Sequence, residues 1–359
     1  GRWVVTELFS DEGFVKKQKT IKDLAEGLGF SIDQDRLFDV VFIAFRSRAK
    51  KIIMVVSGTH GVEGPAGYDL QLKLLEDRVH EKLPADTGLV FVVALNPWGW
   101  VNGRRTDKNN VDLNRNGWYG APPVLPPLDP EINALVNPEK CDEQWYQELT
   151  AWLADPAKTA RLRTQVFRGQ YDNPKGIFYG GKKRARSLVQ LQEYCKNFAS
   201  TCQHLAVLDI HTGLGEWSEI TLLSPTDDGV DRENLKSWFG LGVQFPNRAN
   251  TVTDDLLDFF TSVLPGNMDL TGLTVEIGTI PFEESFPILV MENLLHHQPT
   301  ATFEFPSMGT MLPTTQEGVR RRFSQIFYPP VGCDSEWSAL ARAGFMPIFR
   351  TVVRGLAEL

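Results

Sequence analysis

The chain has 359 residues, 42% of them hydrophobic and 23% charged, close to the average for globular domains, which argues against a disordered or fibrous protein. A formal net charge of -8 argues against a nucleic-acid backbone as partner, because binding phosphate needs clustered positive charge. No apolar run reaches the roughly 18 to 20 residues of a membrane span, and Gly1-Arg2-Trp3-Val4-Val5 does not have the form of a signal peptide. A cytoplasmic protein is therefore expected.

From Glu12 to Gly29 the spacing of Phe14, Ile21, Leu24 and Leu28 predicts an amphipathic helix that Gly29 could end. Two strands are expected next, Asp39 to Phe45 and Lys51 to Val56. The second is apolar on both faces, the pattern of a central parallel strand. It runs into Ser57-Gly58-Thr59-His60-Gly61-Val62-Glu63-Gly64 and then a helix from about Pro65 to Leu83, opened by a proline at a favoured first-turn position. Three more buried-type runs end at polar residues. Leu89 to Leu95 leads into Asn96, Leu205 to Ile210 into His211, and Leu273 to Val275 into Glu276. Ligands in open α/β sheets bind beyond the carboxyl ends of the strands, so these polar ends predict one site.

Between the second and third of these strands lies a long irregular and helical region. It includes Ala121-Pro122-Pro123-Val124-Leu125-Pro126-Pro127 and a helical stretch near Asp142 to Leu153. We read 118–185 as an insertion rimming the cleft of a single domain that spans 1–359, since no composition break marks a linker. Lys182-Lys183-Arg184-Ala185-Arg186 reads as a solvated loop or helix start. The tail from about Ser335 to Leu359 reads as a closing helix. The four cysteines, Cys141, Cys195, Cys202 and Cys333, form no C-x-x-C pair, which argues against a cysteine metal site or a disulfide framework; Cys195 and Cys202 read as packed thiols.

Only six histidines are present. His80, in a charged helical stretch, and His296-His297, after a helical run, are expected at the surface, and His204 is expected to be structural. His60 differs, because it lies in a glycine-rich turn after a buried strand with Glu63 three residues on. Such a turn aims imidazole and carboxylate at one point, and a distant histidine completes three protein ligands with a position left for water. His211 is that histidine.

His60-Gly61-Val62-Glu63, Asp112-Leu113-Asn114-Arg115, His211 and Glu276, in this order, resemble the metallocarboxypeptidase superfamily of zinc carboxypeptidases and succinylglutamate desuccinylase or aspartoacylase-type deacylases. Val111-Asp112-Leu113-Asn114-Arg115-Asn116, Asp209-Ile210-His211-Thr212-Gly213-Leu214-Gly215 and Glu276-Ile277-Gly278-Thr279 resemble its DUF2817 branch. The likeness runs from about Phe9 to near Gln298. It implies an α/β fold with a mixed, largely parallel central sheet and helices on both faces. It also implies one zinc ion per chain on His60, Glu63 and His211, with Asp112 accepting the other ring N–H of His60. Asn114 and Arg115 would bind a substrate carboxylate, one of Arg104 and Arg105 would steady the oxyanion, and Glu276 would be the general base. Glu283 and Glu284 read as solvated charges in a loop containing Pro281 and Pro287. One departure stands out: from Thr212 to Val275 there is no tyrosine, where digestive carboxypeptidases carry a mobile one. Tyr179, in Gly176-Ile177-Phe178-Tyr179-Gly180-Gly181, is a candidate substitute or a packed aromatic.

A G-x-S-x-G elbow, a phosphate-binding G-x-x-x-x-G-K-[ST] loop and a complete dinucleotide fingerprint are all absent. The expectation is a zinc hydrolase that cleaves an amide, in a peptide or an N-acyl amino acid, next to a carboxylate. Its partner would be that small molecule or peptide, not nucleic acid or membrane. The competing reading is a non-catalytic metal- or ligand-binding protein that keeps the fold. Retention of Glu276 speaks against it, because binding requires no base.

Overall fold

The computed structural model describes residues 7–224, 229–246, 252–309, 311–329 and 336–359. Gly1 to Val5, Cys333 and Ser335 thus lie outside the described residues. The strands, in chain order, are β1 (Ser31–Asp33), β2 (Val41–Phe45), β3 (Lys51–Val56), β4 (Thr87–Val93), β5 (His204–Gly213), β6 (Ile220–Leu223), β7 (Val243–Gln244) and β8 (Asp269–Gly278). They form one sheet in the order β1-β2-β4-β3-β5-β8-β6-β7. Its centre, β4-β3-β5-β8, is parallel, while β1, β2 and β6 join antiparallel. The expected mixed, largely parallel α/β architecture is what the chain adopts.

β3 shows why. Ile52, Ile53, Met54, Val55 and Val56 are all fully buried, each contributing about 1.5 to 3 kcal/mol of burial. Side chains alternate across a strand, so Ile53 and Val55 join one core while Ile52, Met54 and Val56 join another. The first core is covered by helices Asp11–Gly27, Gly64–Glu76 and Glu336–Ala357, and the second by Arg186–Cys195 and Leu256–Val263. A third core lies apart from both. It joins helices Pro130–Val136, Glu143–Ala154 and Pro156–Val166 to Phe282–His297 and Gln316–Phe327.

Several boundaries differ from expectation for local reasons. The helix after the glycine turn stops at Glu76, because Arg78 turns left-handed (φ 52°) before a single tight turn at Val79–Lys82. β5 and β8 run past their expected ends, pairing through Gly213 and Gly278, so His211 and Glu276 lie within strands. Pro287 does not sit in a loop; it lies inside helix Phe282–His297, whose first turn carries the exposed Glu283 and Glu284. His80 is buried rather than superficial, edge-on to Phe30 and Phe45 at 5.0 and 5.1 Å. His296 and His297 are half-buried. His204 opens β5 and bonds Thr271 at 2.8 Å, a structural role. Cys141, Cys195 and Cys202 are buried free thiols, and burial raises the pKa of each. The helix near residue 142 begins at Glu143, where the Asp142 carboxylate accepts the Trp145 N–H at 3.0 Å. No helix among the described residues is long and apolar enough to cross a membrane.

Candidate metal centre

The chain turns from β3 to β4 on one side and later returns through β5 to β8 on the other. The strand order therefore reverses between β3 and β5, a place where open α/β sheets bind ligands. His60 follows β3 and His211 lies in β5. The glycine turn is pressed against helix Pro97–Val101: a Cβ on Gly61 would lie 2.1 Å from the Gly99 carbonyl carbon. The same turn bonds to the next loop, through Gly61 N–H to Arg105 O at 3.3 Å and Val62 N–H to Arg104 O at 2.9 Å. That pairing sets the two arginines beside the ligand turn.

His60, Glu63 and His211 are each 3% exposed or less, and their candidate ligand atoms lie within 4.8 Å of one another. His60 Nδ1 is 2.9 Å from Glu63 Oε1, His211 Nδ1 is 3.2 Å from Glu63 Oε2, and the two Nδ1 atoms are 3.2 Å apart. Each ring is held from behind by a carboxylate. His60 Nε2 meets Asp112 Oδ1 at 3.1 Å, and His211 Nε2 meets Asp209 Oδ2 at 2.5 Å. An Nε2–H donated to a carboxylate leaves Nδ1 as the acceptor, so two imidazole lone pairs and a carboxylate converge on one point. Three acceptors facing each other in a buried space need a cation between them, and this donor set suits a divalent metal. Burial would lower the pKa of His211, but the charge and hydrogen bond of Asp209, with Glu63, hold it well above the usual value. Glu63 also accepts the Thr212 N–H at 3.0 Å. Burial would raise Glu63, yet the charge of His60 and the two histidine bonds keep it below the usual carboxylate range.

Asp112 is fully buried and fully used. Its Oδ1 also takes the Asn114 N–H at 2.9 Å, and its Oδ2 takes Arg105 Nε at 2.9 Å. Burial would raise it too, but the charges of Arg105 and His60 hold it well below the usual value. Glu276 pairs with His211 across the β5–β8 register, and so shares its face of the sheet. It accepts the Leu214 N–H at 3.0 Å. Burial pushes Glu276 up to about 7, the neighbouring Glu63 adding to that rise against the charge of His211.

His60, Glu63, His211 and Glu276 border a cavity of about 340 Å³ that also receives Arg105, Asn114 and Arg115. Arg105 Nη1 is 3.9 Å from Glu63, and its guanidinium lies over Phe178 at 4.9 Å. Arg115 is 2% exposed, donating through Nε to Phe167 O at 2.8 Å and through Nη1 to Asn114 O at 2.9 Å. Asn114 Oδ1 accepts the Leu256 N–H at 3.0 Å.

Two of the expected site residues lie elsewhere. Arg104 is buried in a pair with Glu292 at 2.8 Å, with further contacts to Asn110 and Asn293, and does not border the cavity. Tyr179 is packed in the second core beneath the Asp112 loop, contributing its carbonyl to Asp112 N–H at 2.7 Å. Its neighbour Phe178, held at φ 51°, faces the cavity instead. Sequence reasoning missed Asp209, whose signal was its place two residues before His211 on one strand, on the same face. Arg163, Phe167, Phe282 and Phe286 also border the cavity and carried no local signal.

No curated protein matches the chain. Among solved structures it is similar to a metallo-carboxypeptidase from Burkholderia cenocepacia, at 14% identity over 80% of this chain and 69% of that one (TM-score 0.42). It is also similar to the succinylglutamate desuccinylase from Chromobacterium violaceum, at 12% identity over 78% and 74% (TM-score 0.38). A third is carboxypeptidase A from Helicoverpa armigera, at 11% identity over 98% and 75% (TM-score 0.46). The family described as protein of unknown function, DUF2817, matches residues 30–332, and the chain belongs to that family, as its ordered motifs led us to expect.

Proposed function

We propose that the protein is a zinc-dependent hydrolase that cleaves an amide bond beside a substrate carboxylate, in a small peptide or an N-acyl amino acid. The observation that carries this is the convergence of two carboxylate-backed imidazoles and Glu63 on one buried point, with a further buried carboxylate, Glu276, beside it. His60, Glu63 and His211 would hold zinc, which when bound would supply a Lewis acid and bring the pKa of water towards neutrality. Glu276, with its proton affinity near neutral pH, takes the proton as water adds to the amide carbon and delivers it to the leaving nitrogen as the C–N bond breaks. Arg105 steadies the developing oxyanion, a role Arg104 is too committed to Glu292 to fill. Arg115 and Asn114 receive the carboxylate, since a guanidinium anchored by backbone carbonyls keeps donors for a planar anion. We read the chain as one domain whose segment 118–185 rims the cleft, and as a cytoplasmic protein, for which the buried free thiols are the support. A protein that only binds would have no use for Glu276.

The test is turnover of a panel of N-acyl amino acids and short peptides with zinc present, beside metal analysis. Glu276→Gln keeps its zinc and loses at least about two orders of magnitude in rate, whereas His211→Ala releases the metal. Normal turnover by Glu276→Gln would remove the base assignment, and full metal occupancy in His211→Ala would remove the ligand assignment.

A further inference from the structure

One wall of the cavity is aromatic and continuous. Phe178, Phe167, Phe282 and Phe286 follow one another at ring-centroid distances of 5.6, 5.5 and 4.9 Å, and all four border the cavity. Leu289 extends the row, because Phe282, Phe286 and Leu289 recur at helical spacing on one face of helix Phe282–His297. The wall starts at the reaction centre, where the Arg105 and Arg115 guanidiniums lie over Phe178 at 4.9 and 5.2 Å. It is built from two parts of the chain more than a hundred residues apart, which share the third core. Phe178, Phe282 and Phe286 back the wall as buried rings, while Phe167 and Leu289 are half-buried and carry most of its apolar surface towards the cavity; a ligand that covers that surface recovers the hydrophobic contribution, and a short acyl group leaves most of it uncovered.

We infer that the substrate carries a bulky apolar group, aromatic or branched aliphatic, seated on Phe167, Phe282, Phe286 and Leu289 while its carboxylate meets Arg115. This deepens the hydrolase reading and rests on it for the position of the scissile amide. Small acyl groups such as acetyl are poor substrates, and the wall sets the specificity.

The experiment compares benzoyl-glycine with acetyl-glycine on the zinc-loaded protein, by kcat/KM and by calorimetric binding to Glu276→Gln. Wild type favours the benzoyl compound by about 100-fold. Leu289→Ala, at a half-buried position, and Phe286→Ala each cut that ratio by about tenfold. Ser285→Phe, which fills the space beside Phe282 and Phe286, makes acetyl-glycine the tighter ligand. Equal kcat/KM for the two compounds in wild type, or an unchanged ratio in both alanine variants, overturns the inference and leaves the hydrolase standing. Selective binding of benzoyl-glycine without turnover of either compound does the reverse, and binding of neither overturns both.

Discussion

At the scale of single residues, Asp209 braces the candidate metal centre from behind. Its Oδ2 holds His211 Nε2 at 2.5 Å, while its Oδ1 accepts the Thr59 hydroxyl at 2.8 Å, so the carboxylate cannot turn away from the ring. A carboxylate in this position fixes the tautomer and makes Nδ1 more basic, and losing such a partner typically weakens metal binding about 10- to 100-fold. Asp209→Asn keeps the shape and removes the charge. We expect its zinc affinity, measured by competition with a chromophoric chelator, to fall within that range while the circular dichroism spectrum stays that of wild type. Affinity within about twofold of wild type would make Asp209 a structural residue. The candidate ligands His60 and Glu63 could be picked out in the sequence because a glycine-rich turn after an apolar strand is a local pattern. Asp209 was equally local, one strand period from His211. Arg104 and Arg105 were not separable, because their roles depend on Glu292, which lies 188 residues from Arg104 and reaches it only through the fold.

At the scale of elements, the centre depends on a turn, a helix and a loop that hold one another. Helix Pro97–Val101 is short, and Asn96 ties it in place, its Oδ1 accepting the Gly99 N–H at 2.9 Å and its Nδ2 reaching Arg105 O at 3.2 Å. Gly61 is required where this helix meets the His60 turn, for a Cβ there would also lie 2.3 Å from the Trp100 nitrogen. Both obstacles are backbone, so neither can swing aside. Gly61→Ala must therefore push the turn from the helix and pull His60 away from His211. We expect lower zinc affinity together with a stability loss of at least about 1 kcal/mol in urea titrations; wild-type values for both would show that the turn is not held by this contact. The central strands and flanking helices were legible because each carries its own periodicity. The short strands Ile220–Leu223 and Val243–Gln244, at one end of the sheet, were not, since their place in it comes from pairing with neighbours rather than from composition. Pro287 misled for the opposite reason, as a local breaker overruled by a helix buried along much of its length.

For the molecule as a whole, four of the six histidines lie away from the metal centre and have lowered pKa values, with burial the leading cause in each. His296 and His297 are adjacent at the end of helix Phe282–His297, and both are pushed down to about 4. Burial acts first, reinforced by Arg104 and Arg320 on His296 and by His296, Arg104 and Lys175 on His297, against a smaller opposing pull from Glu292. Unfolded, each would titrate near 6.5. The unfolded chain therefore takes up protons below pH 6.5 that the folded chain refuses until about pH 4, and stability must fall as pH drops through that window. Most carboxylates titrate below pH 5, but Glu276, raised to about 7, acts in the opposite sense. A difference measurement removes its contribution. The double variant His296→Gln/His297→Gln keeps polar, uncharged side chains at both positions and loses both titrations, leaving Glu276 and the metal centre as they are. Between pH 7 and pH 5 its urea midpoint should fall less than that of wild type, so the difference between the two proteins shifts in the variant's favour towards the acid end. Parallel curves over that range would mean that both histidines reach water in the folded state.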